Sequence, residues 1–119
     1  DMTRRDLQNE AKKLGRPWDM AKGFDNSAPY APIHKIEDVG NIEDAVIKLS
    51  INGKIRQKSI VDHLIWSVPE TICYLSKLVQ LKPGDLIYSG TPDGVGAVKA
   101  GDHLHGTITG LTDLEINYR

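Results

Sequence analysis

The 119 residues include 39% hydrophobic and 26% charged side chains, with fifteen basic against sixteen acidic groups and a formal charge of -1, the composition of a single soluble globular domain. No basic excess calls for nucleic acid or an anionic membrane surface, and no apolar run is long enough to span a bilayer. The lone Cys73 cannot form an internal disulfide, in keeping with a reducing, cytoplasmic setting.

Thr3-Arg4-Arg5-Asp6 reads as a helix start, with Thr3 as cap and Asp6 completing a capping-box-like pair. Leu7, Ala11 and Leu14 recur on one face, Gly15 supplies a left-handed stop, and Pro17 forbids continuation. From Gly23 to Gly40, Pro29 and Pro32 mark an irregular crossing with one short strand near Ile33. Ile47, Leu49 and Ile51 alternate with Lys48 and Ser50 as a half-buried strand. Asn52-Gly53 is a hairpin signal, because both residues tolerate positive φ. Lys54 to Ser59 returns, with Ile55 and Gln57 on one face and Arg56 on the other.

A second helix is expected over Val68 to Val79, with Pro69 in its first turn, Ile72, Leu75, Leu78 and Val79 toward a core, and Cys73 buried as a small hydrophobe. Lys82-Pro83-Gly84-Asp85 is a turn, Leu86-Ile87-Tyr88 a short strand, and Gly90 to Gly96 a glycine-rich loop. His103 to Thr109 and Leu111 to Tyr118 are two final strands around Gly110. Trp18 and Trp66 read as packing residues. Short β segments joined by turns give an α+β, mainly β fold with two helices: an irregular, largely antiparallel roll, one domain over residues 1–119.

Asp1, Arg5 and Gln8 fall near one helical side and offer an acidic metal ligand, a cation and an amide. A solvated helix face is the default reading of such residues, and Lys22 alone adds little. In Gly90-Thr91-Pro92-Asp93-Gly94-Val95-Gly96 the glycines permit close backbone approach to a ligand, and Thr91 offers a hydroxyl. A plain tight turn explains the loop equally well. No Lys-Ser or Lys-Thr follows as in a phosphate-binding loop. His103 and His105 share a strand face without a third ligand, so a polar face is preferred over a metal site; His34 and His63 are isolated.

Five stretches taken together carry a likeness that none carries alone. They are Asp1-Met2-Thr3-Arg4-Arg5-Asp6-Leu7-Gln8, Gly15-Arg16-Pro17-Trp18, Ala21-Lys22-Gly23-Phe24-Asp25, Ile51-Asn52-Gly53-Lys54-Ile55-Arg56-Gln57 and Pro83-Gly84-Asp85 through Gly96. In this order and spacing the chain resembles the fumarylacetoacetate hydrolase family, closest in pattern to its acylpyruvate-cleaving members. The resemblance implies the C-terminal part of that family's catalytic domain, and the start at Asp1-Met2 fits a piece of a longer protein.

It also implies roles. Asp1 matches an aspartate that, with a Glu-x-Glu pair, binds Mg²⁺ or Mn²⁺. Gln8 and Lys22 match the amide and ammonium that hold the oxo-acid end of the substrate and serve catalysis. Arg5 matches a positive position beside them, and Thr91 a threonine reaching the substrate carboxylate. The implied reaction is hydrolysis of a carbon–carbon bond in a 1,3-dicarbonyl 2-oxo acid, releasing pyruvate and a carboxylic acid, by a homodimer acting on a small 2-oxo acid. A hard cation chelated by the pyruvoyl oxygens would stabilise the leaving enolate. Oxaloacetate decarboxylation or 2-oxo-dienoate isomerisation would use the same site. No Glu-x-Glu precedes Asp1 and no histidine stands at the family's lid position, so residues 1–119 are not expected to catalyse alone. A binding or scaffold module without its metal site is the reading from another class.

Overall fold

The computed structural model describes all residues, 1–119, and the chain divides into two compact units, Asp1–Tyr30 and Ala31–Arg119. No helix is long and apolar enough to cross a membrane.

The first unit is built on helix α1 (Arg5–Leu14) and the single-turn α2 (Asp19–Lys22). Gly15 ends α1 in the left-handed conformation, φ 60°, its N–H donating to the carbonyls of Ala11 and Lys12, as the sequence requires. The start differs from expectation. Arg4 is the N-cap residue and no side chain caps the helix, because the Thr3 hydroxyl accepts a bond from Lys22 Nζ instead. The strand-like entry is pinned by backbone: Met2 N–H donates to Ser27 O at 2.7 Å and Arg4 N–H to Ala21 O at 3.0 Å. Two cation–π contacts brace the unit, Arg4 over Phe24 at 4.3 Å and Lys12 over Trp18 at 4.9 Å. Helix α2 was not expected, since four residues are too few to show a period.

The second unit contains the single-turn α3 (Ile36–Val39), strands β1 (Val46–Ile51) and β2 (Lys54–Ile60), helix α4 (Val68–Leu75), and strands β3 (His103–Ile108) and β4 (Leu114–Asn117). The sheet is antiparallel in the order β2-β1-β3-β4. Asn52 at φ 50° and Gly53 at φ 76° make the β1–β2 turn, the both-positive geometry that the Asn-Gly pair selects. The register aligns Ile51 with Leu104 and Leu104 with Ile116, and likewise Leu49 with Gly106 and Gly106 with Leu114. With a side-chain period of two, these residues and Ile47 and Ile108 share one apolar face. His103 and His105 share the other, beside Glu115 at 3.7 Å and Asp113 at 2.9 Å, a polar face as expected.

Several expectations are corrected. A β-bulge interrupts β2: Leu49 pairs with Gln57 but Ser50 with Ile55, leaving Arg56 extra. Leu49 and Ser50 are consecutive, so Gln57 and Ile55 face opposite sides, not one. Burial agrees, with Gln57 8% exposed and Ile55 61%. Helix α4 stops at Leu75, where Ser76 Oγ donates back to Cys73 O at 3.0 Å, a local bond that competes with further helix. Ile72, Leu78 and Val79 are exposed, and so is Cys73. Residues 86–88 form no strand, and none forms near Ile33. Trp18 is more than two-fifths exposed and Trp66 about two-thirds (44% and 66%), so neither is a core residue.

Candidate functional site

In the first unit, the extended entry and α1 bring four of the sequence candidates together. Lys22, at the end of α2, donates from Nζ to Asp1 Oδ2 at 2.5 Å and to Thr3 Oγ1 at 2.9 Å. One turn into α1, Arg5 Nη1 donates to Gln8 Oε1 at 2.7 Å. Gln8 is almost fully buried, so its amide is fixed, not a waving surface group. Burial and the neighbouring Arg5 guanidinium push the Lys22 ammonium below its ordinary value. The Asp1 carboxylate opposes that shift, and attraction across 2.5 Å holds the charged form in place.

An inventory of donors follows from these bonds. An ammonium has three N–H groups, and Asp1 and Thr3 take two, leaving one for a ligand. Gln8 has its oxygen occupied by Arg5, so what it offers is N–H. The patch therefore presents positive charge and donors, with a single carboxylate at its edge. That set suits the oxygens of an anionic oxo acid.

Thr91, the fifth candidate, belongs to the second unit. Gln57 Nε2 donates to Thr91 Oγ1 at 2.9 Å and to Pro92 O at 2.6 Å. Gly94, at φ 97°, lies so close to the bulge that a Cβ there would stand 2.0 Å from Arg56 O. The glycine-rich loop is thus seated on the bulge of β2, with the Thr91 side chain exposed. Thr3 and Gln57 are the two residues sequence reasoning missed. Their partners lie 19 and 34 residues away, beyond any local pattern.

A hard divalent cation takes about six oxygen ligands. No three His, Cys, Asp or Glu side chains gather as a metal-holding group, and Asp1, the patch's one carboxylate, is engaged by Lys22. The residues of this chain do not by themselves make a site for such an ion. Two shallow concavities of about 270 Å³ lie elsewhere, one against α1 near Leu7 and Trp18, the other between Asn52 and Asp102. Neither includes Asp1, Lys22 or Thr91.

The chain has relatives among known proteins. The family described as fumarylacetoacetate (FAA) hydrolase C-terminal matches residues 1–117, and the chain belongs to it. A fumarylpyruvate hydrolase of Ralstonia is 47% identical over 116 residues, 98% of this chain and 60% of that protein. The mitochondrial oxaloacetate tautomerase of Rattus norvegicus is 43% identical over 117 residues, 96% of this chain and 52% of that protein. The crystal structure of fumarylpyruvate hydrolase from Pseudomonas aeruginosa, in complex with Mn²⁺ and pyruvate, superposes with a TM-score of 0.95 at 49% identity. It covers 99% of this chain and 51% of that one. The chain thus spans between about half and three-fifths of the length of these relatives.

Proposed function

We propose that the protein carrying this chain is a divalent-metal-dependent hydrolase that cleaves a carbon–carbon bond in an acylpyruvate or related 1,3-dicarbonyl 2-oxo acid, yielding pyruvate and a carboxylic acid. The observation that carries the reading is the Asp1–Lys22–Thr3 cluster beside the Arg5–Gln8 pair. The names of the Ralstonia and Pseudomonas relatives give it its substrate class.

In this reading Arg5 and Lys22 attract the substrate carboxylate, and the Gln8 amide and the remaining Lys22 N–H donate to the 2-oxo oxygen. Negative charge develops there as the bond to the acyl carbon breaks, and fixed donors stabilise it. On the second unit, the exposed Thr91 hydroxyl is a group suited to a carboxylate. A divalent cation, Mg²⁺ or Mn²⁺, would need ligands beyond Asp1, which alone does not make its site; bound, it would supply Lewis-acid charge to the oxo acid. Asp1 is taken by Lys22, so the cluster binds and stabilises but holds no free general base for the attacking water. A cytoplasmic homodimer is part of the same proposal. Exposed Ile65, Trp66, Leu78 and Leu86 support an interface on the second unit.

A second reading, enol–keto interconversion of oxaloacetate, is favoured by the rat relative. It needs the same stabilised enolate. The test uses the full natural protein with Mn²⁺ and follows pyruvate release from fumarylpyruvate beside oxaloacetate tautomerisation. Release from fumarylpyruvate is expected, and Lys22→Met should lower kcat/KM by roughly 10²-fold. A flat trace with fumarylpyruvate and rapid oxaloacetate interconversion transfers the site to the second reading. Silence on both favours a non-catalytic module.

A further inference from the structure

We infer that Gln57 is a positioning residue that sets the polarity of the Thr91 hydroxyl, turning its proton outward toward the carboxylate of an oxo-acid substrate. The inference rests on the proposed function for the identity of that substrate and on geometry for the rest.

Pro92 O is a carbonyl and can only accept. It lies 2.6 Å from the Gln57 amide, so the amide must present its NH₂ end there, since its oxygen would meet another oxygen. The same NH₂ then faces Thr91 Oγ1 at 2.9 Å. Thr91 is obliged to accept on that side, and its own proton is left to donate elsewhere. Thr91 is exposed while Gln57 is 8% exposed, so the ordering group is shielded and the ordered group accessible. Two structural features keep this arrangement. The extra residue Arg56 turns Gln57 to the apolar face, opposite Leu49, and the bulge carbonyl of Arg56 backs Gly94 of the same loop. An aligned donor needs no reorganisation when a carboxylate arrives.

Gln57→Glu reverses the polarity in nearly the same volume. The carboxylate accepts the Thr91 proton, leaving substrate no donor there. Wild type, Gln57→Glu, Thr91→Val and the double variant of the full natural protein are compared with fumarylpyruvate and Mn²⁺. The expected result is KM raised about 10- to 100-fold in both single variants, as for loss of a hydrogen bond to a charged group. Their kcat should stay within about threefold of wild type, and the double variant should be no worse than Thr91→Val alone. Gln57→Leu, which removes both donors without setting a charge against Pro92 O, goes through the same cycle in case Gln57→Glu does not fold. Effects that add in the double variant, or a fall in kcat at constant KM, overturn the inference while wild-type turnover leaves the proposed function standing. A wild type that neither turns over fumarylpyruvate nor binds pyruvate overturns both.

Discussion

Replacing Gly94 by alanine would put a methyl carbon 2.0 Å from Arg56 O and 3.0 Å from Arg56 C, at a residue whose φ is 97°. Two costs add. A non-glycine residue at positive φ loses about 1–2 kcal/mol, and forcing an extra carbon into occupied space loses about 1–3 kcal/mol. Because the obstructing atoms are backbone, no side chain can swing aside, so the expected loss is about 2–5 kcal/mol, a large share of the ~5–15 kcal/mol of a typical domain. Two companion substitutions separate the costs. Gly53, φ 76°, has nothing within 4 Å, so Gly53→Ala should show only the torsional part, about 1–2 kcal/mol. Gly96 has open space and no positive φ, so Gly96→Ala should be neutral or gain up to about 1 kcal/mol. Urea unfolding of the full natural protein, with hydrogen exchange read over residues 90–96, measures the series. A Gly94→Ala variant no less stable than Gly53→Ala would refute the close seating of the loop on the bulge.

The capping box of α4 gives a second expectation. Ser67 Oγ accepts from Glu70 N–H at 3.3 Å and Glu70 Oε2 accepts from Ser67 N–H at 2.9 Å, so Ser67→Ala should cost about 1 kcal/mol in urea unfolding. Bonds from the Ser67 side chain and backbone hold the Glu70 carboxyl below its ordinary 4.5. A carboxyl depressed in the folded state adds stability above that value and loses it as pH falls below. The gap in urea midpoint between wild type and Glu70→Gln should therefore shrink from pH 7 to pH 3, and a constant gap counts against the box. Third, Asn52 donates to Asp102 Oδ1 at 2.8 Å and accepts from His103 N–H at 2.9 Å. Asn52→Ala should lose about 2–3 kcal/mol and Asn52→Gly about 1 kcal/mol less of that, since glycine keeps the positive φ without strain; equal losses would mean the turn is not both-positive.

What could be read from the residues was what local chemistry decides. Gly15 and Asn52-Gly53 tolerate positive φ at positions where a helix stop and a two-residue turn need it, so the end of α1 and the hairpin followed from sequence. Alternation in β1 also survives in the structure, because pairing with β2 and β3 on its two edges holds it extended, with a side-chain period of two. The failures have physical causes too. Leu86-Ile87-Tyr88 is apolar enough for a strand, but composition does not supply the paired ladder a strand needs, and residues 86–88 form no strand. Gln57 and Ile55 obey period two until Arg56 is inserted, and a bulge is set by pairing, not by composition. In the candidate site, the helical spacing of Asp1, Arg5 and Gln8 suggested a patch, yet Lys22 joined it only through the return of the chain along Met2–Arg4. Thr3 looked like a helix cap because Thr-x-x-Asp usually is one; a nearby ammonium outcompeted the backbone for its oxygen.

The extra residue in β2 also bears on how relatives of this chain should be compared. Three residues separate Gly53 from Gln57, and one of them, Arg56, is the extra residue of the bulge. A homologue with one residue fewer in this interval would bring its glutamine to the same face by regular pairing, without the bulge carbonyl of Arg56 that backs Gly94. Gap placement between these two positions is therefore worth more than percentage identity when deciding whether another sequence shares the anchored threonine.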